Sequence, residues 1–192
     1  PDYYAVKAPV SSFNKMSNVD ITLGPEMKST GEVMGIANNF PGAYAKTQAA
    51  VDMELPKTGT CFLSVCDRDK RAILPLARDL ARMGFKLICT SGTARALESA
   101  NIPCEVIGRV SDPEPNIATL IGEGKIDLMI NTPFGQETRS DGYVLRTLAV
   151  RQNLCYVTTL AGAQAFVSAI DNLRDDNLPI IALQDLDQWE EK

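Results

Sequence analysis

The stretch from Thr60 to Thr93, TCFLSVCDRDKRAILPLARDLARMGFKLICTSGT, constrains this chain more than any other. Cys61, Phe62, Leu63, Val65 and Cys66 form an apolar run interrupted only by Ser64. Such a run suits a strand covered by helices on both faces, as in a parallel sheet. From Lys70 to Met83 the apolar residues Ile73, Leu74, Ala77, Leu80 and Ala81 recur at helical spacing. Gly84 supplies a stop, and Phe85–Thr90 resumes as an apolar strand. Thr90-Ser91-Gly92-Thr93 then falls where the next helix should begin. Free backbone N–H groups at that terminus, aided by hydroxyls and the helix dipole, predict an anion cradle.

The alternation continues. Strands are expected at Thr60–Cys66, Phe85–Thr90, Pro103–Ile107, Ile126–Asn131 and Leu154–Val157. Helices are expected at Lys70–Met83, Gly92–Ala100, about Pro115–Glu123, Tyr143–Gln152 and Ala161 to about Leu173. This pattern predicts an α/β fold of three layers, α/β/α, around a five-stranded parallel sheet. Ligands of such sheets sit outside the carboxyl ends of the strands. Asp67–Lys70, Thr90–Thr93, Gly108-Arg109, Asn131-Thr132-Pro133 and Thr158-Thr159 lie there. Lys70 and Arg109 offer the charges for a phosphate, Arg109 bidentately. Ordinary polar loops and helix caps give a similar pattern. No GxGxxG or GxxxxGK[ST] signature decides between the two.

Residues 1–57 lack the repeating unit. They open as a strand broken by Pro9. A capping-box spacing, Ser29 to Glu32, predicts a short helix from about Thr30, weakened by Gly31 and Gly35. Pro41 predicts the first turn of a second helix running to about Met53, with Asn39 or Phe40 as its cap. Leu55–Gly59 reads as a linker. The segment reads as the end of a larger unit rather than an independent fold.

The 192-residue chain is 45% hydrophobic and 22% charged, as soluble globular proteins are. Its formal charge of −5 lies entirely in the stretch from Asp171 onward, where seven acids face Arg174 and Lys192. The rest has no basic face, which argues against a nucleic-acid partner. That acidic end reads as solvated, with Leu178–Leu183 able to add an edge strand or to pack on the sheet. No histidine occurs anywhere. His-based acid–base catalysis, Ser-His-Asp and Cys-His pairs, and the commonest transition-metal ligand are therefore excluded. No metal site is expected. The five cysteines, Cys61, Cys66, Cys89, Cys104 and Cys155, fall in expected strands without a CxxC pair and read as small core hydrophobes. Their odd number, without a signal peptide, predicts the reducing cytoplasm. The apolar runs are too short to span a membrane.

Against this background, Phe62–Ile170 resembles the methylglyoxal-synthase-like domain that ends the large chain of carbamoyl-phosphate synthase. The matching pieces are FLSVCDRDK at 62–70, GFKLICTSGTARALESANIP at 84–103, IGRV at 107–110, EGKIDLMINTP at 123–133 and YVTTLAGAQAF at 156–166. Upstream, YYAVKAPVSSFNK at 3–15 and LGPEMKSTGEVMGIANNFPGAYAKTQ at 23–48 are similar to the last part of that chain's second ATP-grasp unit. The resemblance implies two parts, an ATP-grasp tail and linker at 1–57 and the domain itself at 58–192. It also implies allosteric regulation of carbamoyl phosphate synthesis by a nucleotide monophosphate of the UMP or IMP type. The implied phosphate pocket is Ser64, Lys70, Thr90, Ser91, Gly92, Thr93, Arg109, Asn131 and Thr132. Arg109 stands where the familiar bacterial pattern has lysine, and Pro133 where it has a second threonine, which leaves the effector open. Tyr156 and Thr158 match the region that some members use for ornithine, whereas Ala8 stands where those members place an acidic ligand.

The resemblance further implies that the fragment needs no cofactor of its own. The parent uses ATP with Mg or Mn, and its partners are the rest of the large chain and the glutaminase small chain; homo-oligomers are possible. Glu26 and Glu32 read as structural. Two alternatives stay open: a phosphate-eliminating enzyme of the methylglyoxal synthase type, or a vestigial pocket on an oligomerisation module. The first lacks its Gly-Gly-Asp-Gln context here, where Ser111–Asn116 reads SDPEPN, with Glu114 near the acid's place.

Overall fold

The computed structural model describes residues 3–11, 29–132, 137–175, 178, 180–182, 184 and 185. Glu26, Pro133 and the acidic tail beyond 185 lie outside the described residues. Strands β3 (Thr60–Val65), β4 (Lys86–Cys89), β5 (Glu105–Val106), β6 (Leu128–Thr132) and β7 (Cys155–Val157) form one parallel sheet in the order β5-β4-β3-β6-β7. Helices α2 (Ile73–Arg82), α3 (Ser91–Ser99), α4 (Ile117–Gly122), α5 (Glu137–Arg151) and α6 (Leu160–Asp175) connect and cover it. The expected three-layer sheet is present. The chain winds outward from β3 to β5 on one side, then returns to β6 and β7 on the other. The order therefore reverses between β3 and β6, which is where such sheets open a crevice at their carboxyl ends.

Side chains alternate across the pleat, so each strand feeds two cores. Cys61, Leu63 and Val65 point with Leu87, Cys89, Leu128 and Ile130 into the layer that α2, α3 and α6 close. Phe62 points with Ile88 and Met129 into the opposite layer, against Ile117, Ile121, Leu145 and Ala149 of α4 and α5. This two-sided burial is why β3 reads as an unbroken apolar run.

Residues 29–37 depart from expectation. They form strand β2 (Ser29–Ala37), antiparallel to β1 (Tyr4–Ser11), instead of a helix from Thr30. The capping-box spacing is a local signal for one turn, whereas β1 offers backbone partners along the whole segment. Gly35 decides the matter. A Cβ on it would lie 2.1 Å from the carbonyl oxygen of Ala43, so glycine lets helix α1 (Phe40–Ala50) pack directly on the hairpin. Pro9 stays within β1 because a two-stranded ribbon leaves one edge unpaired. Helix α1 starts where expected, capped by Asn39 Oδ1 accepting from the Gly42 N–H at 2.7 Å.

Helix α1 and the following linker are packed into the sheet's own core. Ala45 and Leu55 are buried there, Tyr44 and Met53 lie against it, and the Tyr44 ring meets Phe166 of α6 edge-on at 5.8 Å. Each large apolar side chain buried this way contributes about 1.5–3 kcal/mol. Asn153 Nδ2 and Arg174 add polar ties to the carbonyls of Asp52 and Lys57.

Smaller departures follow from loops that the helical period does not register. A 3-10 turn, Asp67–Asp69, delays α2 until Ile73. The third expected strand shrinks to Glu105–Val106, while α5 begins well before Tyr143. Among the cysteines, Cys61, Cys89 and Cys155 are buried in strands, but Cys66 and Cys104 sit just outside them and are half-buried. Leu178 packs on the core, and its described neighbours 180–182 add no strand. No helix among the described residues is long and apolar enough to cross a membrane.

Candidate anion-binding site

A cleft of about 500 Å³ opens where the strand order reverses, over the carboxyl ends of β3 and β6. Parallel register builds its floor by pairing Ser64 with Asn131 and Val65 with Thr132. Helix α3 enters from one side. Thr90 is its N-cap residue, in extended backbone, yet its hydroxyl caps nothing. Instead Thr90 Oγ1 lies 3.3 Å from Ser64 Oγ and 3.4 Å from Thr93 Oγ1. Helix geometry leaves the N–H groups of Ser91 and Gly92 without intrahelical acceptors, so the positive end of α3 meets the cleft uncapped.

Lys70 reaches across this end. Its ammonium lies 3.2 Å from the position a Cβ on Gly92 would take, so a side chain there would push the ammonium back by a few tenths of an ångström. Lys70 Nζ is also 2.6 Å from Asp67 Oδ1. That hydrogen bond and the ammonium's charge hold the Asp67 carboxyl below the usual carboxylate range. Arg109 faces the cleft from the loop after β5, its backbone N–H fixed by Asp112 Oδ2 at 2.7 Å. Asn131 is 5% exposed and lines the cleft, and its amide makes no hydrogen bond to another described residue. A cleft-facing amide left open in this way can receive a polar group of a ligand.

The expected phosphate residues divide by role. Ser64, Lys70, Thr90, Gly92, Thr93, Arg109, Asn131 and Thr132 all line the cleft. Ser91 does not; it is exposed at the first position of α3. Thr93, 1% exposed, spends its hydroxyl on the Val65 N–H at 3.1 Å. Thr132 Oγ1 accepts from the Cys66 N–H at 3.3 Å. Both are struts that hold the end of β3, with little left for a ligand. The Cys66 thiol donates to Asp69 Oδ2 at 3.1 Å. Burial alone would raise the Asp69 carboxyl, but hydrogen bonds from Cys66 and Thr132 hold it below the usual range. Tyr156 and Thr158 are not part of the cleft. Tyr156 packs half-buried against the α4–α5 core, where burial raises its phenol against the opposing charge of Arg146.

Sequence reasoning passed over the far wall. Asp141, Gly142 and Leu145 of α5, with Val110 and Ile117, complete the cleft. Nothing local marks them, since α5 comes to face β3 only through the sheet order. Asp141 is a carboxylate on the side away from Lys70's helix end. Beside the Lys70-paired Asp67, the site thus sets cations and backbone donors against Asp141, with an apolar floor at Phe62 and Ile117 between. That arrangement can hold a phosphate attached to a polar, ring-bearing group.

A helix-flanked parallel sheet with a cation-lined cleft at its switch point describes a class of small-ligand α/β domains, and part of the chain matches one such family. Residues 72–158 match the family model of the MGS-like domain. The likeness extends further than the domain. Over 187 residues, 97% of its length, the chain is 50% identical to the "Carbamoyl phosphate synthase large chain, C-terminal section" of Methanopyrus kandleri. It is 43% identical over 188 residues to the protein of the same description from Methanocaldococcus jannaschii. With the "Carbamoyl phosphate synthase large chain" of Rubrobacter xylanophilus it shares 42% identity over 184 residues. The chain covers 34%, 30% and 18% of these three proteins. It is thus related along nearly its whole length to the C-terminal part of the carbamoyl phosphate synthase large chain.

Proposed function

We propose that this chain is the allosteric end of a carbamoyl-phosphate synthase large chain and that its cleft takes a nucleotide monophosphate of the UMP or IMP type. One observation carries this reading: Lys70, the uncapped start of α3 and the open amide of Asn131 converge at one edge of the sheet. The phosphate lies against Lys70 and the N–H group of Gly92, with Arg109 closing over it. Asp141 accepts from ribose hydroxyls, as acidic residues do in other nucleotide-binding α/β sheets. The base lies over the apolar floor.

The carboxylates near the phosphate are spoken for, Asp67 by Lys70 and Asp69 by Cys66 and Thr132, and no histidine is present. That favours binding over elimination chemistry, so the chain is non-catalytic by itself. ATP, its Mg or Mn ion, and the glutaminase small chain belong to the parent ligase, which works in the cytoplasm. Residues 1–57 are the ATP-grasp tail, and regulation is a coupling free energy: the nucleotide prefers one placement of the domain, and α6 passes that preference to α1 through Tyr44 and Phe166.

Calorimetric titration with UMP and IMP tests this, repeated on Lys70→Ala. The expected result is binding of at least one nucleotide that weakens tenfold or more in the variant, the order of effect for loss of a charge-assisted contact. No heat with either would refute the effector reading and favour a vestigial pocket. Formation of methylglyoxal from dihydroxyacetone phosphate at an enzymatic rate would refute it in favour of a lyase.

A further inference from the structure

An anion cleft has no use for a carboxylate against its principal cation, yet Asp67 Oδ1 lies 2.6 Å from Lys70 Nζ. The two partners are unequal. The Lys70 side chain is 28% exposed and rests over Gly92, whereas the Asp67 side chain is 95% exposed. Asp67 therefore keeps most of its hydration while paired, and an ion pair of that kind is weak and easily exchanged. Its contribution to the fold is small. The backbone of the turn is already fixed without it, since the Lys70 N–H bonds to the Asp67 carbonyl at 3.3 Å.

Its contribution to the cleft's charge is large. The lining holds Arg68, Lys70 and Arg109 against Asp67 and Asp141. Arg68 lies 3.6 Å from Asp69, which offsets it. With Lys70 taken by Asp67, the remaining cation of full strength among the described lining residues is Arg109.

We propose that Asp67 is a built-in competitor for the anion: it holds the Lys70 ammonium when the cleft is empty, and a phosphate-bearing ligand binds by taking that ammonium from it. This rests on the phosphate reading of the cleft and adds what sets its affinity. An ammonium has three donors, so Asp67 stays nearby after exchange, with its charge roughly 5 Å from the phosphate. At that separation, with water-like screening, removing one negative charge strengthens binding about four- to tenfold. The opposite role, in which Asp67 orients Lys70 for its ligand, predicts a loss instead of a gain. The sign of the effect separates the two.

Calorimetric titration of the whole chain with inorganic phosphate, UMP and uridine decides the matter, in wild type, Asp67→Asn, Asp67→Ala and Asp67→Glu. The competitor role requires four- to tenfold tighter phosphate and UMP binding in the Asn and Ala variants and near-wild-type binding in the Glu variant. Uridine binding stays unchanged, and the gain shrinks at high salt. Thermal unfolding within about 1 °C of wild type separates this from a change of fold, since exposed pairs contribute little to stability. Unchanged or weaker anion binding in Asp67→Asn, with wild type still binding, overturns the competitor role and leaves the anion site standing. Failure of every protein, wild type included, to bind either anion overturns both.

Discussion

Thr93→Val asks whether the buried hydroxyl beside the cleft is a strut or a ligand. Thr93 is 1% exposed, and its Oγ1 accepts the Val65 N–H at 3.1 Å. Valine nearly matches threonine in size, so no cavity forms, and the loss is confined to the acceptor. The Val65 N–H at the end of β3 then stays buried without a partner, which costs about 1–3 kcal/mol. For a chain of this length the melting temperature falls by roughly 3–10 °C. Urea unfolding followed by far-ultraviolet circular dichroism, fitted with a common slope, gives the free-energy difference. Thr93→Ser is the control: it keeps the oxygen and loses only a methyl group, so its cost is the smaller. UMP affinity, measured well below the melting temperature, falls less in Thr93→Val than in Lys70→Ala. Stability within about 0.5 kcal/mol of wild type, the range of neutral surface changes, would refute the strut, as would equal damage from the serine variant.

Gly35→Ala places a Cβ 2.1 Å from the Ala43 carbonyl oxygen and 2.7 Å from the Thr47 nitrogen, both backbone atoms, and so costs roughly 1–3 kcal/mol or more. Hydrogen exchange should show β1, β2 and α1 losing protection while β3 and β6 keep it; unchanged exchange in the hairpin would refute the packing. Burial raises the Cys61, Cys89 and Cys155 thiols, the last to about 11 with Glu54 adding to the shift. Burial also raises the half-buried Cys104, so iodoacetamide at pH 8 is expected to label Cys66 and, more slowly, Cys104 in the folded chain, and the other three only after unfolding. Because the unfolded chain loses the Cys155 proton near pH 9 and the folded chain near pH 11, that thiol's contribution to stability is full below about 9 and is lost towards 11. Urea midpoints that stay flat from pH 8.5 to 11 would contradict it.

Much of the site was legible because its residues lie directly past strands that declare themselves. β3 and β6 are apolar on both faces, so their carboxyl ends, and hence Ser64, Lys70, Asn131 and Thr132, are located by the pattern alone. The start of α3 is located likewise, by the polar turn after β4. What the pattern could not rank was use: Thr93 and Thr132 look like ligand hydroxyls in sequence, but each is consumed by a backbone N–H at or just past the end of β3. Asp141 was invisible because a carboxylate on an amphipathic helix looks solvated until the sheet order brings that helix to the cleft.

By itself the sequence determined the class of fold, the polar and cationic character of one sheet edge and, through the absence of histidine, a narrow range of chemistry. These follow from short-range facts: period, turn residues and side-chain inventory. Tertiary structure alone decided that residues 29–37 are a strand, that α1 and the linker share the sheet's core, and that Asp67 sits on Lys70. The physical reason is common to all three. A backbone segment, an apolar face and an ammonium each have several acceptable local partners, and only the packed fold decides which partner is near enough to win.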